Sequence, residues 1–201
     1  MSIQYSTTHR TNAMSTLNTD IGASAVIKIF TGSAPANCGT ADSGTTLVTF
    51  AGNAGGFGTA SAGVLTASAI ANATAAGTGT AGYFRIYPTS ATTTNSVVQG
   101  TVFQSLSLTT NALTAANGNV LNFASTTGVA NGMTISGTGV PTGATVIAFT
   151  GSTVTMSVSS TAGVASSASI TFGGDMTVTN TSINSGQTVS VSSISITAYG
   201  A

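Results

Sequence analysis

The chain has 201 residues, a length that suits one domain of ordinary size or two small ones. Only 3% of the residues are charged, against about 25% in ordinary soluble proteins. The formal net charge of +0 leaves no basic surface for nucleic acid, and polar residues and glycine interrupt every apolar run before the roughly 20 residues that a membrane-spanning helix needs. Disorder is the other interpretation of this composition, and β-branched and aromatic segments such as AVIKIF and GYFRIY disfavour it.

The first predicted element is an amphipathic helix over roughly residues 4–20. Apolar side chains recur at helical spacing at Ala13, Met14, Leu17 and Ile21. Gly22 stands where a C-terminal cap is expected. The N-terminal segment has no apolar stretch after a basic start, so we expect no secretory signal. Cys38 is the only cysteine and is interpreted as a small buried or loop thiol, as expected of a protein made in a reducing cytosol.

After the helix the hydrophobic period changes to two, which is the period of strands. Strands are predicted at residues 25–31, 45–51, 63–69, 82–87 and 96–103. In GYFRIYP, Tyr83, Arg85 and Tyr87 share one face, and Pro88 ends the strand because it has no N–H to donate. The two tyrosines could form a platform for carbohydrate, but packing or an interface is the favoured interpretation.

Residues 106–172 read as a separate small unit inserted between two strands of the first. The short segments LNFAS, MTISG, ATVIAF, TVTMSV and ASITF are spaced by turn residues, which predicts a small sandwich or barrel. The exit sequence FGGD supplies glycines suited to a hinge. Surface loops are common places for such insertions.

Two further strands are predicted from DMTVTNTSI and QTVSVSSISITAY, with NSGQ as the turn between them. The apolar residues of the last strand change parity between Val191 and Ile194. A bulge near Ser192–Ser193 would reconcile the two halves. Edge strands without charges are prone to aggregate, which favours covering of the edges by neighbouring subunits.

Residues that carry chemistry are too few for an active site. His9 is the only histidine and lies in the predicted helix, so it is interpreted as a polar or interface residue rather than a base. Asp20, Asp42 and Asp175 each stand beside turn residues, where aspartate bonds the local backbone. One Cys and one His cannot form a structural zinc site, and no loop has the clustered acidic ligands of calcium. We therefore expect a protein that is not an enzyme, with no catalytic residue, cofactor or metal.

Four segments occur in an order that resembles a family of small β-rich virion proteins of tailed bacteriophages, of the head decoration or cement type. They are MSIQYSTTHRTNAMSTLNTDIGASAVIKIFTGSAPANC, TAGYFRIY, VVQGTV and GGDMTVTNTSINSGQTVSVSSISITA. The resemblance covers most of residues 1–103 and 173–201. In shorter relatives the QGTV strand continues almost directly into GGDMTV, and this chain carries extra residues between them.

The inserted segment, with ASTTGVANGMTISGTGVPTGATVIAFTGSTVTMS, is similar to Ig-like β modules of phage fibres and bacterial surface proteins. The expected fold is therefore mainly β: an antiparallel sandwich or barrel-like domain with one N-terminal helix at residues 1–105 and 173–201, plus a small inserted β-sandwich at 106–172.

The function that the resemblance implies is a structural one. The expected protein is a capsid decoration protein, made in the host cytoplasm, that binds the major capsid protein on the virion surface as a homotrimer or other homo-oligomer. The alternative is a tail or fibre component whose inserted module makes weak contact with a host-surface polymer. No nucleic acid or membrane partner is expected. The candidate capsid contacts, in the N-terminal helix and in loops, are His9, Arg10, Lys28 and Arg85.

Overall fold

The structure, a computed structural model, describes residues 4–51, 57–88 and 95–198. The chain forms two compact units: unit 1 comprises Met1–Phe103 and Asp175–Ala201, and unit 2 comprises Gln104–Gly174. The domain boundaries predicted from the sequence lie two residues from these. The predicted mainly β fold with one N-terminal helix is confirmed.

Helix α1 spans Thr7–Ile21 and has a cap at each end. The Ser6 hydroxyl accepts a hydrogen bond from the backbone N–H of His9 at 3.2 Å. The predicted C-terminal cap is confirmed: Gly22 has a φ of 72°, and its N–H donates to the carbonyl of Asn18 at 3.0 Å.

The apolar face of α1 is narrower than its sequence predicts. Ile21 is fully buried, and Met14 and Leu17 are half-buried against the core of unit 1. Ala13, which we expected on the same face, is exposed. The remaining surface of the helix carries mainly Ser, Thr and Asn.

Unit 1 is built on one large sheet with the strand order β2-β1-β5-β6-β13-β16-β3, and β14 pairs with β5. A further two-stranded sheet joins β15 to β4. The strands of this unit are β1 (Val26–Thr31), β2 (Thr46–Phe50), β3 (Val64–Thr66), β4 (Ala73–Thr74), β5 (Gly79–Tyr87), β6 (Val98–Gln104), β13 (Met176–Val178), β14 (Ser182–Ile183), β15 (Thr188–Val189) and β16 (Val191–Thr197).

The core of unit 1 lies on one face of this sheet. Strands β1 and β5 are antiparallel, and their register pairs Ile27 with Ile86 and Ile29 with Phe84. These four side chains are buried and belong to one apolar cluster with residues of the other strands. Because side chains alternate along a strand, the residues between them point to the opposite face.

The C-terminal segment forms four strands where the sequence predicted two. Strand β14 does not continue β13 but pairs with β5. Strand β15 pairs with β4 and does not continue into β16. The NSGQ turn is present, with the N–H of Gln187 donating to the carbonyl of Asn184 at 3.0 Å. The predicted bulge is confirmed, because the register of β13 and β16 passes over Ser192. Tyr199, the last residue of the predicted strand, lies outside the described residues.

Unit 2 consists of two three-stranded sheets with the orders β10-β11-β8 and β7-β12-β9. In the described structure, none of its strands pairs with the large sheet of unit 1. Phe123 and Phe172 meet edge to face in its core with ring centroids 5.7 Å apart. Strands occur at all five predicted positions, and β7 is additional. The bounds are β7 (Leu106–Thr109), β8 (Val120–Asn122), β9 (Thr134–Ser136), β10 (Val146–Phe149), β11 (Thr153–Met156) and β12 (Ser169–Gly173).

Candidate functional site

A polar row crosses unit 1 on the face of the large sheet opposite to the apolar core. The register places Lys28 of β1 opposite Arg85 of β5, with Thr49 of β2 and Gln99 of β6 on either side. Two of the three basic residues of the chain are thus cross-strand neighbours. Like charges in that position repel each other, so this row requires a compensating acceptor.

The compensation comes from residues 33–44, which we call the covering loop. Arg85 is fully buried beneath it. The Arg85 guanidinium donates from Nη1 to the carbonyl of Thr40 at 2.7 Å and to Oδ1 of Asp42 at 2.9 Å, and from Nη2 to the carbonyl of Asn37 at 3.0 Å. Its Nε and Nη2 both donate to Oε1 of Gln99, at 3.2 and 2.9 Å. All five N–H donors of the guanidinium therefore have acceptors.

The two tyrosines that flank Arg85 on β5 also hold the covering loop. The Tyr83 hydroxyl donates to the carbonyl of Ser43 at 2.6 Å and accepts from the Ser43 N–H at 3.0 Å. Its ring stacks on Phe30, with centroids 4.9 Å apart and planes 11° apart. The Tyr87 hydroxyl donates to Oδ1 of Asp42. Both tyrosines are fully buried, so in this fold they pack under the loop and are not a carbohydrate platform.

Two more contacts complete the attachment of the loop. The side-chain amide of Gln99 donates to the carbonyl of Pro35 at 2.8 Å, so this residue joins the loop to Arg85. Gly44 closes the loop at a φ of 71°, where an added Cβ would lie 2.3 Å from the carbonyl oxygen of Thr31. Only glycine fits that position.

The electrostatics of this cluster favour a structural role over an acid–base one. Burial raises the pKa of Tyr87, and the hydrogen bond to Asp42 adds to the effect, so the phenol keeps its proton at neutral pH. The Lys28 ammonium lies 4.9 Å from the centroid of the Tyr87 ring, as a cation over an aromatic face. Oδ1 of Asp42 accepts hydrogen bonds from both Arg85 and Tyr87. The arrangement fixes the covering loop.

The structure places the four predicted contact residues in two regions. His9 and Arg10 lie on α1: the His9 ring is exposed and stacks on Tyr5 at 5.2 Å, and Arg10 is half-buried beside Gly63. The Nε atom of Arg10 is buried and has no hydrogen-bond partner in the described structure. Arg10 is therefore partly a packing residue of the helix.

Lys28 and Arg85 lie on β1 and β5, within the strands predicted at residues 25–31 and 82–87, and not in the loops between strands. Arg85 has an exposed fraction of 0%, so a direct capsid contact by this side chain is wrong for this fold. The physical reason is that the covering loop and Gln99 of β6 together supply acceptors for every donor of the guanidinium. Lys28, which is half-buried, stays a candidate contact.

Sequence reasoning missed Gln99, the anchoring role of Asp42 and the covering loop itself. The alternation of Tyr83, Arg85 and Tyr87 was a usable signal, because two aromatic residues beside a cation on one strand face indicate a covered face. The acceptors lie more than 40 residues away along the chain, apart from Gln99. A single sequence does not reveal such pairs.

The other singled-out residues have local roles. Asp175 accepts hydrogen bonds from the N–H and hydroxyl of Thr101 at 3.1 and 3.2 Å, so it joins two strands rather than a turn. Cys38 is half-buried in the covering loop, with its Sγ 3.8 Å from the carbonyl of Val97. In the described ranges no three His, Cys, Asp or Glu residues cluster as metal ligands would.

Unit 2 presents a different surface. It contains no charged residue. Several of its large apolar side chains are exposed: Leu113, Val120, Ile147, Phe149 and Val158. Any partner of this unit must therefore be recognised through apolar, hydroxyl and backbone contacts.

Comparisons with protein-family models, curated proteins and solved structures each found no match. Across the described residues, no helix is long and apolar enough to cross a membrane.

Proposed function

We propose that this chain is a structural virion protein of a tailed bacteriophage that decorates the capsid. It binds the major capsid protein on the outer shell as a homotrimer or other homo-oligomer, after synthesis in the host cytoplasm. Its contacts are non-covalent and need no cofactor, nucleic acid or membrane. It acts as a structural component and not as an enzyme.

The observation that carries this proposal is the distribution of charge. Arg85 and Asp42 are used inside unit 1, and unit 2 has no charge at all, so most of the surface is neutral and rich in hydroxyl groups. Such a surface makes weak contacts individually. On a repeating shell, many copies bind the same lattice, and preferential binding to the assembled form stabilises it by mass action.

The test is to add the purified chain to shells that lack it and to image the particles by cryo-electron microscopy. We expect density for the chain at regular positions on the head, in hundreds of copies, and a higher disruption temperature for the decorated shells. Because the surface is nearly uncharged, binding should change little between low and high salt. Density for the chain in the tail alone would refute the head assignment.

A second candidate function has an observation of its own. Ile147 and Phe149 of β10 and Val120 of β8 are exposed apolar residues on one sheet of unit 2. Exposed apolar side chains of this kind are typical of interaction surfaces. A tail or fibre component could use them for weak contact with a host-surface polymer. A handful of copies per particle, located at the tail, would favour this function over capsid decoration.

A further inference from the structure

Hydrogen bonds hold the covering loop in place although it contributes little to the core. None of its residues is fully buried, and most are exposed. Side chains of β5 and β6 fix its conformation by hydrogen bonds. Arg85 donates to two carbonyls of the loop and to the Asp42 carboxylate. Gln99 donates to the carbonyl of Pro35, and Tyr83 donates to the carbonyl of Ser43. The order of the loop thus depends on polar contacts rather than on apolar packing.

A buried guanidinium is a costly way to cover a sheet face. Burying a charge is unfavourable unless every donor is paired, and well-packed apolar residues of similar volume are often as stable or more so. Arg85 meets that condition only because four acceptor atoms from the loop and from β6 converge on it and accept five hydrogen bonds. Besides covering the sheet face, the hydrogen-bond network gives the exposed loop one defined conformation.

We propose that the covering loop is the element through which unit 1 contacts the assembled shell, and that Arg85 is its positioning residue. The inference rests on the proposed function. The side chains that the loop exposes are small and mostly neutral, among them Ser33, Ala36, Thr40 and Ala41. They suit a neutral protein surface that offers backbone, hydroxyl and small apolar contacts. Fixing the loop beforehand removes the entropy loss that ordering it on binding would cause.

The first test changes the outer surface of the loop and leaves the network intact. Ala36→Lys and Ala41→Lys alter exposed side chains that make no hydrogen bond. Ala71→Lys is the matched control, because Ala71 is exposed in unit 1 outside the loop. We expect binding to shells to fall at least about tenfold for both loop variants and to stay unchanged for the control. Urea unfolding should be the same for all three.

The second test loosens the loop without touching its outer surface. Gln99→Leu removes the acceptor of two Arg85 donors and the bond to Pro35, whereas Gln99→Glu loses only the donor to Pro35 and keeps an acceptor for Arg85. For Gln99→Leu we expect faster hydrogen exchange at loop amides and weaker shell binding at a temperature where the chain is fully folded. Gln99→Glu should bind shells better than Gln99→Leu, because the two Arg85 donors keep their acceptor. A purely structural role predicts equal binding by both folded variants.

The outcomes separate the two proposals. If the unmodified chain fails to bind shells, the proposed function is wrong. If the unmodified chain and Ala71→Lys bind, and Ala36→Lys and Ala41→Lys bind equally well, the loop is a cover and only this inference is wrong.

Discussion

Replacing Arg85 with methionine tests the central contact of unit 1. Arg85→Met keeps an unbranched side chain of similar length and removes all five donors. The carbonyls of Asn37 and Thr40, the Gln99 amide oxygen and the Asp42 carboxylate then lose a partner. We expect the covering loop to detach and unit 1 to lose stability.

The magnitude follows from burial. Breaking a buried ion pair by removing one partner costs about 3–5 kcal/mol. The Asp42 side chain is 35% exposed and can regain water, which places the expected loss near the lower end, at about 3 kcal/mol. Lys28→Met, which removes the neighbouring half-buried cation from the Tyr87 ring, should cost about 0.5–1 kcal/mol.

Tyrosine fluorescence provides an assay for unit 1 alone, because all four tyrosines lie outside Gln104–Gly174. With a urea m-value of about 2 kcal/mol/M, Arg85→Met should lower the unfolding midpoint by about 1.5 M. A shift no larger than that of Lys28→Met would show that the five hydrogen bonds give no net stabilisation. The reasoning about the buried network would then be refuted.

Three other predictions test the phenol, the insertion and the core of unit 2. The pKa of Tyr87 is raised in the folded state, so the stabilisation that this phenol gives the folded state is complete below about pH 10 and decreases as the pH rises further. In urea titrations, Tyr87→Phe should therefore lose less stability at alkaline pH than the unmodified chain does. If Tyr87→Phe loses as much stability with rising pH as the control Lys28→Met does, the prediction is wrong. Replacement of Gln104–Gly174 by a short Gly/Ser linker should leave the tyrosine near-ultraviolet spectrum unchanged, because β6 and β13 are sheet neighbours; loss of that spectrum would show that the units are not independent. Phe172→Ala should destabilise unit 2 by about 3–5 kcal/mol without moving the tyrosine transition, and coincident unfolding of both units would contradict this.

Local patterns predicted the elements of this fold well. Helix α1 and its Gly22 cap, the strand positions and the bulge at Ser192 all follow from rules that act within a few residues. The prediction was wrong where a strand chooses its partner: β14 and β15 leave the expected strands to pair with β5 and β4. Strand pairing is decided by tertiary contacts that period-two patterns do not contain.

The candidate site was predictable only in part, for the same reason. The sequence analysis singled out Arg85, but as a surface residue, because an isolated cation in a nearly uncharged chain suggests a contact with another molecule. Its partners Asp42, Thr40 and Asn37 come from a loop more than 40 residues earlier. An exposed, glycine-containing loop carries no sequence signal that its carbonyls turn inward.

The edges of the large sheet bear on how the chain associates. We expected neighbouring subunits to cover these edges, but the chain itself covers them in part. On β2, the carbonyl of Leu47 accepts hydrogen bonds from the N–H groups of Ala76 and Gly77. On β3, the carbonyl of Thr66 accepts a hydrogen bond from the N–H of Gly58. Protected edges remove one reason for unit 1 to self-associate. In unit 2, β10 is the last strand of its sheet; the backbone of Val146 pairs with Gly132 and Met133, while Ile147 and Phe149 expose apolar side chains in a unit without charge. If copies of the chain bind each other, the apolar residues of unit 2 therefore provide a stronger driving force than the edges of unit 1 do.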